Sequence, residues 1–162
     1  MLKTIVMGVA GSGKSSVGLA VAERLGAVYF DGDDLHPQSN IAKMAAGQPL
    51  DDTDRAPWLD KVGVALAQAS GPTLIGCSAL KRSYRDRIRA ACPHMHCVHL
   101  VGTRRVIEAR MSARTGHFMP VSLLDSQFAT LEALQPDEAG IAVDISQDFD
   151  AVVHEMAARL AA

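Results

Sequence analysis

Aromatic residues are scarce in this sequence, at 4% of 162 positions, and cysteines number three. Cys77, Cys92 and Cys97 are too few, and odd in number, for a disulfide framework, which argues against a disulfide-stapled secreted fold and fits a reducing compartment. No apolar run approaches the ~20 residues of a membrane-spanning helix. The first residues lack the charged-then-apolar plan of a signal peptide, so a cytoplasmic protein with no membrane partner is expected. Excess charge is missing as well. Sixteen basic residues face 18 acidic ones, a formal charge of -2, which gives no global attraction to nucleic acid or to an anionic membrane. Any anion recognition must therefore be local.

What remains is an apolar content of 48%, carried by Val, Leu, Ile and Ala, in a chain long enough for one domain with a real core. Its organising stretch is Gly8-Val9-Ala10-Gly11-Ser12-Gly13-Lys14-Ser15. It follows the short apolar run Ile5-Val6-Met7 and precedes a segment with Val17, Val21 and Leu25 at four-residue spacing. That is the strand, glycine loop and helix order of a phosphate-binding loop, G-x-x-x-x-G-K-[ST]. Glycines let backbone N–H groups turn inward around phosphate oxygens, and the helix start adds partial positive charge. Residues Gly8 to Ser16 are thus the candidates for ATP. Lys14 would reach the β- and γ-phosphates, and the Ser15 hydroxyl would ligate Mg²⁺.

The chain then alternates between strand-like and helix-like segments, which predicts a parallel sheet of five strands flanked by helices. Ala27 to Phe30 reads as a buried parallel strand ending in the acidic cluster Asp31, Asp33 and Asp34. In open α/β sheets ligands bind at that edge. Two helices are expected between Asn40 and Ser70, the second opened by Asp51 to Asp54 with Pro57 in its first turn and Trp58, Val62 and Leu66 as a core stripe. If Ser78 to Arg89 is helical, Lys81, Arg85 and Arg89 share one face. Cys92, His94, His96, Cys97 and His99 are dense in possible metal ligands, but they enter a strand at the edge away from the glycine loop. Alternation sends His96 and Cys97 to opposite faces, so surface histidines and a buried cysteine are preferred to a zinc site.

Absence also narrows the chemistry. The third predicted strand ends Gly76-Cys77-Ser78, without the acid that GTPases and motor ATPases place there for Mg²⁺, and no Asn-Lys-x-Asp guanine reader occurs. The acids stand at the second strand, where a carboxylate can accept a hydroxyl proton or hold a metal-bound water. That suits phosphoryl transfer to a small alcohol.

The stretches Gly8 to Ser15, Asp31-Gly32-Asp33 with Leu35-His36-Pro37 and Asn40, Asp52 through Leu59, Cys77 to Lys81, Tyr84-Arg85, Gly116-His117-Phe118-Met119-Pro120, and Ser126-Gln127-Phe128 together carry a resemblance to the bacterial-type gluconate kinases, relatives of shikimate kinase among the P-loop kinases. It spans nearly the whole chain. The resemblance implies a single three-layer P-loop kinase domain over 1–162, with a substrate-binding helical segment at about 34–70 and a lid at about 110–122. It implies transfer of the ATP γ-phosphoryl group to the 6-hydroxyl of D-gluconate, and a dimeric tendency.

Gluconate is an anion with five hydroxyls, so its pocket should offer cations for the carboxylate and polar groups for the polyol. Arg55, Lys81 and Arg85 are the candidates for the carboxylate; Asp33, His36, Gln127 and His117 are candidates for the remaining contacts, with Asp33 as base. Arg110 and Arg114 are four apart and abut the Gly116 segment, as expected of a lid that brings arginines onto phosphates. Residues Asp144 to Gln147 would border the adenine by fold analogy. The alternatives are a kinase for shikimate or a nucleoside monophosphate, and a nucleic-acid-binding NTPase module suggested by five basic residues between Lys81 and Arg89.

Overall fold

The structure is a computed structural model that describes residues 1–112 and 121–162. Among these, five strands alternate with seven helices. Strand β1 (Lys3–Met7) leads into α1 (Lys14–Leu25), then come β2 (Val28–Asp31), a 3-10 turn (Gly32–Leu35), α2 (Gln38–Ala45) and α3 (Asp52–Gln68). They are followed by β3 (Thr73–Gly76), α4 (Arg82–Ala91), β4 (His96–Val101), α5 (Arg104–Ser112), α6 (Val121–Thr130), β5 (Gly140–Asp144) and α7 (Phe149–Ala161). All strand pairs are parallel and the spatial order is β2-β3-β1-β4-β5.

Alternation along the central strands sorts the core into two layers. Val6, Leu74, Val98 and Leu100 face α1 and α7, where Val17, Val21, Val152, Val153 and Met156 meet them. Ile5, Met7, Ile75 and Cys97 face α3 and α4 and pack on Trp58, Leu59, Val62, Leu66 and Ile88. The expected α/β architecture, a five-stranded parallel sheet between helical layers, is thus present.

Several local expectations change. Strand β2 is not buried: among the described residues it stands at the sheet edge, pairs only with β3, and leaves Val28 53% and Phe30 51% exposed. A run that is apolar throughout does not reveal which of its faces lacks a covering layer. Pro57 lies within α3, beyond its first turn, while the helix start carries a complete capping box between Asp51 and Asp54. Helix α4 begins at Arg82, so Lys81 is its extended N-cap and not part of a helical face. His96 is exposed and Cys97 buried, the alternation expected at that strand.

The α4 side of the sheet holds a buried charge cluster. Arg85 donates to both carboxylate oxygens of Glu138 at 2.8 and 2.9 Å, Arg89 reaches the same carboxylate at 3.0 Å, and the Gln135 N–H adds a bond at 2.9 Å. Burial alone would raise the Glu138 carboxyl, but these donors outweigh it and hold it at about 2. Nearby His99 is driven the other way: burial first, then the Arg85 charge, lower its pKa to about 4.

An acid-lability prediction follows from the signs. Between about 4 and the ordinary 6.5 the unfolded chain protonates His99 and the folded one does not, so stability falls as pH drops through that window, by up to about 3 kcal/mol. Glu138 adds a second loss as pH falls from 4.5 towards 2. Urea midpoints measured across these ranges should decline in both, and His99→Gln should flatten the upper one. A wild-type midpoint that is level between pH 6.5 and 4 would count against the buried neutral imidazole.

Candidate active site

Strand β1 ends at the centre of the sheet, where β3 lies on one side and β4 on the other, and the glycine loop emerges from that reversal of strand order. Gly13 is the N-cap of α1 at φ 92° and ψ 20°, a left-handed conformation that a Cβ would strain. Among the described residues no side chain caps the helix start. Its first amides are therefore open donors for an anion. The loop is closed by Ser12 N–H to the Val9 carbonyl at 3.2 Å and by Gly8 N–H to the Ser78 carbonyl at 3.3 Å. Lys14 Nζ donates to the Gly8 and Val9 carbonyls at 3.0 and 3.1 Å, which folds the ammonium over the loop.

Two cavities meet at this edge. The first, about 300 Å³, is walled by Ala10, Gly11, Gly13, Lys14 and Ser15 of the loop, by Tyr29, Asp31 and Asp33 after β2, and by Gly76, Cys77 and Ser78 after β3. Of the nine loop candidates, Gly8, Val9 and Ser12 are buried behind this wall, and Ser16 turns its hydroxyl to the Gly13 carbonyl at 3.4 Å. The second cavity, about 560 Å³, lies between the α2–α3 segment and α6, with Arg55, His36, Trp58, Tyr84, Leu123 and Ser126 in its lining. Asp33, Ser78 and Gln127 line both. The boundary between a loop built for phosphate and a pocket of mixed polar and apolar lining thus carries a carboxylate.

Asp33 is aimed by the turn that follows β2: the Asp31 carboxylate accepts the Asp33 N–H at 2.9 Å and caps the turn. Its side chain is 77% open to the cleft, yet the cleft walls and then the Asp31 charge raise its pKa, against the pull of His36 and Lys14. Cys77 sits beside it, but full burial pushes its thiol up to about 12, so it is no nucleophile at neutral pH.

Gln127 accepts the Ala10 N–H at 2.6 Å, tying α6 to the glycine loop. Arg55 donates to the Tyr84 hydroxyl at 3.3 Å and lies over its ring, and Tyr84 in turn donates to Asp52 at 2.6 Å. Lys81 stands at the rim of this group, 3.7 Å from Asp52 and over the same ring. Arg110 donates to the Ile145 and Gln147 carbonyls at 2.5 and 3.4 Å, so α5 is linked to the loop after β5. Arg114 and His117, with most of the expected lid, lie outside the described residues.

Arg85 requires correction as a substrate contact. It is 0% exposed, and besides Glu138 its guanidinium donates to the carbonyls of Ala79, Leu80 and Ala133. Ala79 holds a left-handed φ of 43°, so Arg85 fixes a strained turn next to both cavities without entering either. Arg85→Ala should leave Glu138 buried and only partly paired, lowering stability by about 3–5 kcal/mol in denaturant titration. A variant as stable as the parent would return Arg85 to the pocket.

Tyr29 is a functional candidate that the sequence reading missed. Its hydroxyl donates to Ser15 Oγ at 3.4 Å, and its ring lies where side chains at Gly18 and Gly76 would stand. Burial raises the phenol's pKa, keeping it a donor. The only signal for it was position, two residues before the acidic cluster. Trp58, assigned to core by its helical stripe, is indeed buried, but it also stacks on His36 with centroids 4.1 Å apart and donates to the Gly32 carbonyl at 2.8 Å.

The basic run is largely matched by acids: Arg82 pairs with Asp86 and Asp137, Arg87 with Asp60, and Arg89 with Asp86 and Glu138. No helix among the described residues is long and apolar enough to cross a membrane.

No protein-family model matches the chain. It is 48% identical to the thermosensitive gluconokinase of Escherichia coli K12 over 155 residues, 93% of this chain and 83% of that protein. It is 44% identical to the gluconokinase of Gluconobacter oxydans, covering 94% and 87%. The crystal structure of a gluconokinase from Sinorhizobium meliloti 1021 superposes with a TM-score of 0.90 at 49% identity, over 99% of this chain and 91% of that one. An APS kinase of Mycobacterium tuberculosis, at 19% identity and a TM-score of 0.67, shares the fold alone.

Proposed function

The chain belongs to the gluconokinase family, and from that membership we propose that it transfers the γ-phosphoryl group of ATP to the 6-hydroxyl of D-gluconate, giving 6-phosphogluconate and ADP. One observation carries the residue assignment: Asp33 lines both the phosphate-loop cavity and the larger second pocket. A hydroxyl held in the second cavity can lose its proton to that carboxylate as its oxygen attacks a phosphorus held in the first.

The remaining roles follow from position. The amides from Gly11 to Ser15 hold the triphosphate, and Lys14 leaves its loop carbonyls to neutralise the β- and γ-oxygens. Arg55, which lines the pocket, and Lys81 at its rim receive the sugar-acid carboxylate, while His36 and Gln127 bond hydroxyls. Arg110 serves the nucleotide from its place beside the loop after β5; Arg114 and His117 complete the lid. The Ser15 hydroxyl with the nearby Asp31 carboxylate is an all-oxygen set of the kind that suits Mg²⁺, whose chemistry when bound is to offset charge on the phosphate oxygens. Exclusion of water by the lid would protect ATP from hydrolysis.

We place the protein in the cytoplasm as a homodimer without a nucleic-acid partner. The pairing of the basic run with carboxylates supports the last point.

The deciding experiment is an ADP-release assay with ATP and gluconate, related sugar acids, shikimate or AMP. Turnover is expected with gluconate. Turnover with shikimate or AMP, and none with any sugar acid, would overturn the assignment.

A further inference from the structure

His36 is held on two sides. Trp58 stacks on its face, with 17° between the rings, and the buried Asn40 meets its edge, Nδ2 standing 3.2 Å from His36 Nδ1. The same Asn40 atom lies 2.9 Å from the backbone carbonyl of Asp54. A carbonyl can only accept, so the amide must present its nitrogen there and not its oxygen. That nitrogen has two hydrogens, one for Asp54 and one for the imidazole. Nδ1 must then offer a lone pair, which leaves the ring's single hydrogen on Nε2.

We infer that Asn40 is a positioning residue that locks His36 in its neutral Nε2–H form, making His36 a hydrogen-bond donor to substrate and leaving Asp33 as the acceptor beside it. Nε2 is 3.9 Å from Asp33 Oδ1, too far for a direct bond and close enough for both to reach one oxygen placed between them. A substrate hydroxyl there accepts from Nε2–H with one lone pair, which points its own hydrogen at Asp33. The proton then has one direction of travel, to the carboxylate, because the imidazole has no lone pair left to receive it. The charged groups around the ring agree with a neutral state: burial lowers the pKa of His36, Asp33 opposes this, and Arg55 lowers it further. Asn40 itself is anchored between α2 and α3, whose ends are joined by Lys43 to Asp54 at 2.6 Å.

The hydroxyl in this picture rests on the gluconate reading, whereas the tautomer does not. Long-range proton–nitrogen NMR on the full unliganded chain, labelled with ¹⁵N-histidine and assigned with His36→Gln, reads the tautomer directly. The expected spectrum at neutral pH has Nδ1 unprotonated and Nε2 protonated. Asn40→Asp places an acceptor at Nδ1 and should move the hydrogen there, raising the gluconate KM by about tenfold or more with a smaller change for ATP. Should that variant fail to fold, the wild-type spectrum decides alone. A hydrogen on Nδ1 in the wild type, a mixture of tautomers, or an Asn40→Asp protein whose Nδ1 stays unprotonated would each overturn the lock. The expected tautomer in a protein that does not phosphorylate gluconate would uphold the lock and remove only the substrate.

Discussion

Asp33→Asn is expected to lower kcat for gluconate phosphorylation by about 10²- to 10⁴-fold, with a much smaller change in the KM for gluconate. The amide keeps the shape of the carboxylate and can still bond a hydroxyl, so binding survives; it cannot take the proton, so the chemical step does not. The pH profile supplies a second readout. The active form of Asp33 is the carboxylate, and its pKa is raised by the cleft walls and by Asp31. Activity should therefore fall on the acid side at a pH above the ordinary aspartate range, and that limb should vanish in the variant. Stability should move the other way. A carboxyl whose folded pKa is raised costs the folded state stability once pH exceeds its unfolded value, so Asp33→Asn should melt slightly higher at neutral pH. An unchanged kcat would dismiss Asp33 as the base.

Lys14→Ala should reduce turnover by about 10²- to 10³-fold or more while leaving the thermal midpoint close to that of the parent. The loss arises because neutralisation of the β- and γ-oxygens by a mobile ammonium has no substitute in the loop amides alone. Folding is spared because the loop is shaped by bonds that do not involve the ammonium: Ser12 N–H to Val9, Gly8 N–H to Ser78, and Val17 N–H to Gly13. Turnover and melting must be measured together. Retained turnover with an intact fold would take Lys14 out of the chemistry.

What could be read from the residues in order was what is local. The glycine loop and the acid-rich start of α3 at Asp51 to Asp54 are encoded within a few positions of themselves, and they stand in the structure as expected. Nearly full-length resemblance supplied the family and substrate class. What could not be read depends on partners far along the chain. Spacing along the helix grouped Arg85 with Lys81 and Arg89 as a cationic face, and only the fold brings Glu138, 53 residues away, to neutralise Arg85 in the interior. The exposure of β2 likewise follows from its place at the end of the strand order, which a run of Val, Tyr and Phe does not announce. The stacked pair of His36 and Trp58 hides in the same way, because a buried indole on a helical stripe looks like core whatever its ring touches.

Tyr29 carries a consequence for how such a chain can diversify. Its ring fills the volume that any side chain at Gly18 or Gly76 would need, and one of those glycines lies on the first helix and the other on the third strand. Three positions in separate segments are thereby bound into a single heritable set. An alanine at position 18 or 76 is tolerable only after position 29 has shrunk, and shrinking it withdraws the phenol from Ser15. Libraries or chimaeras that reshuffle these segments should keep the three together.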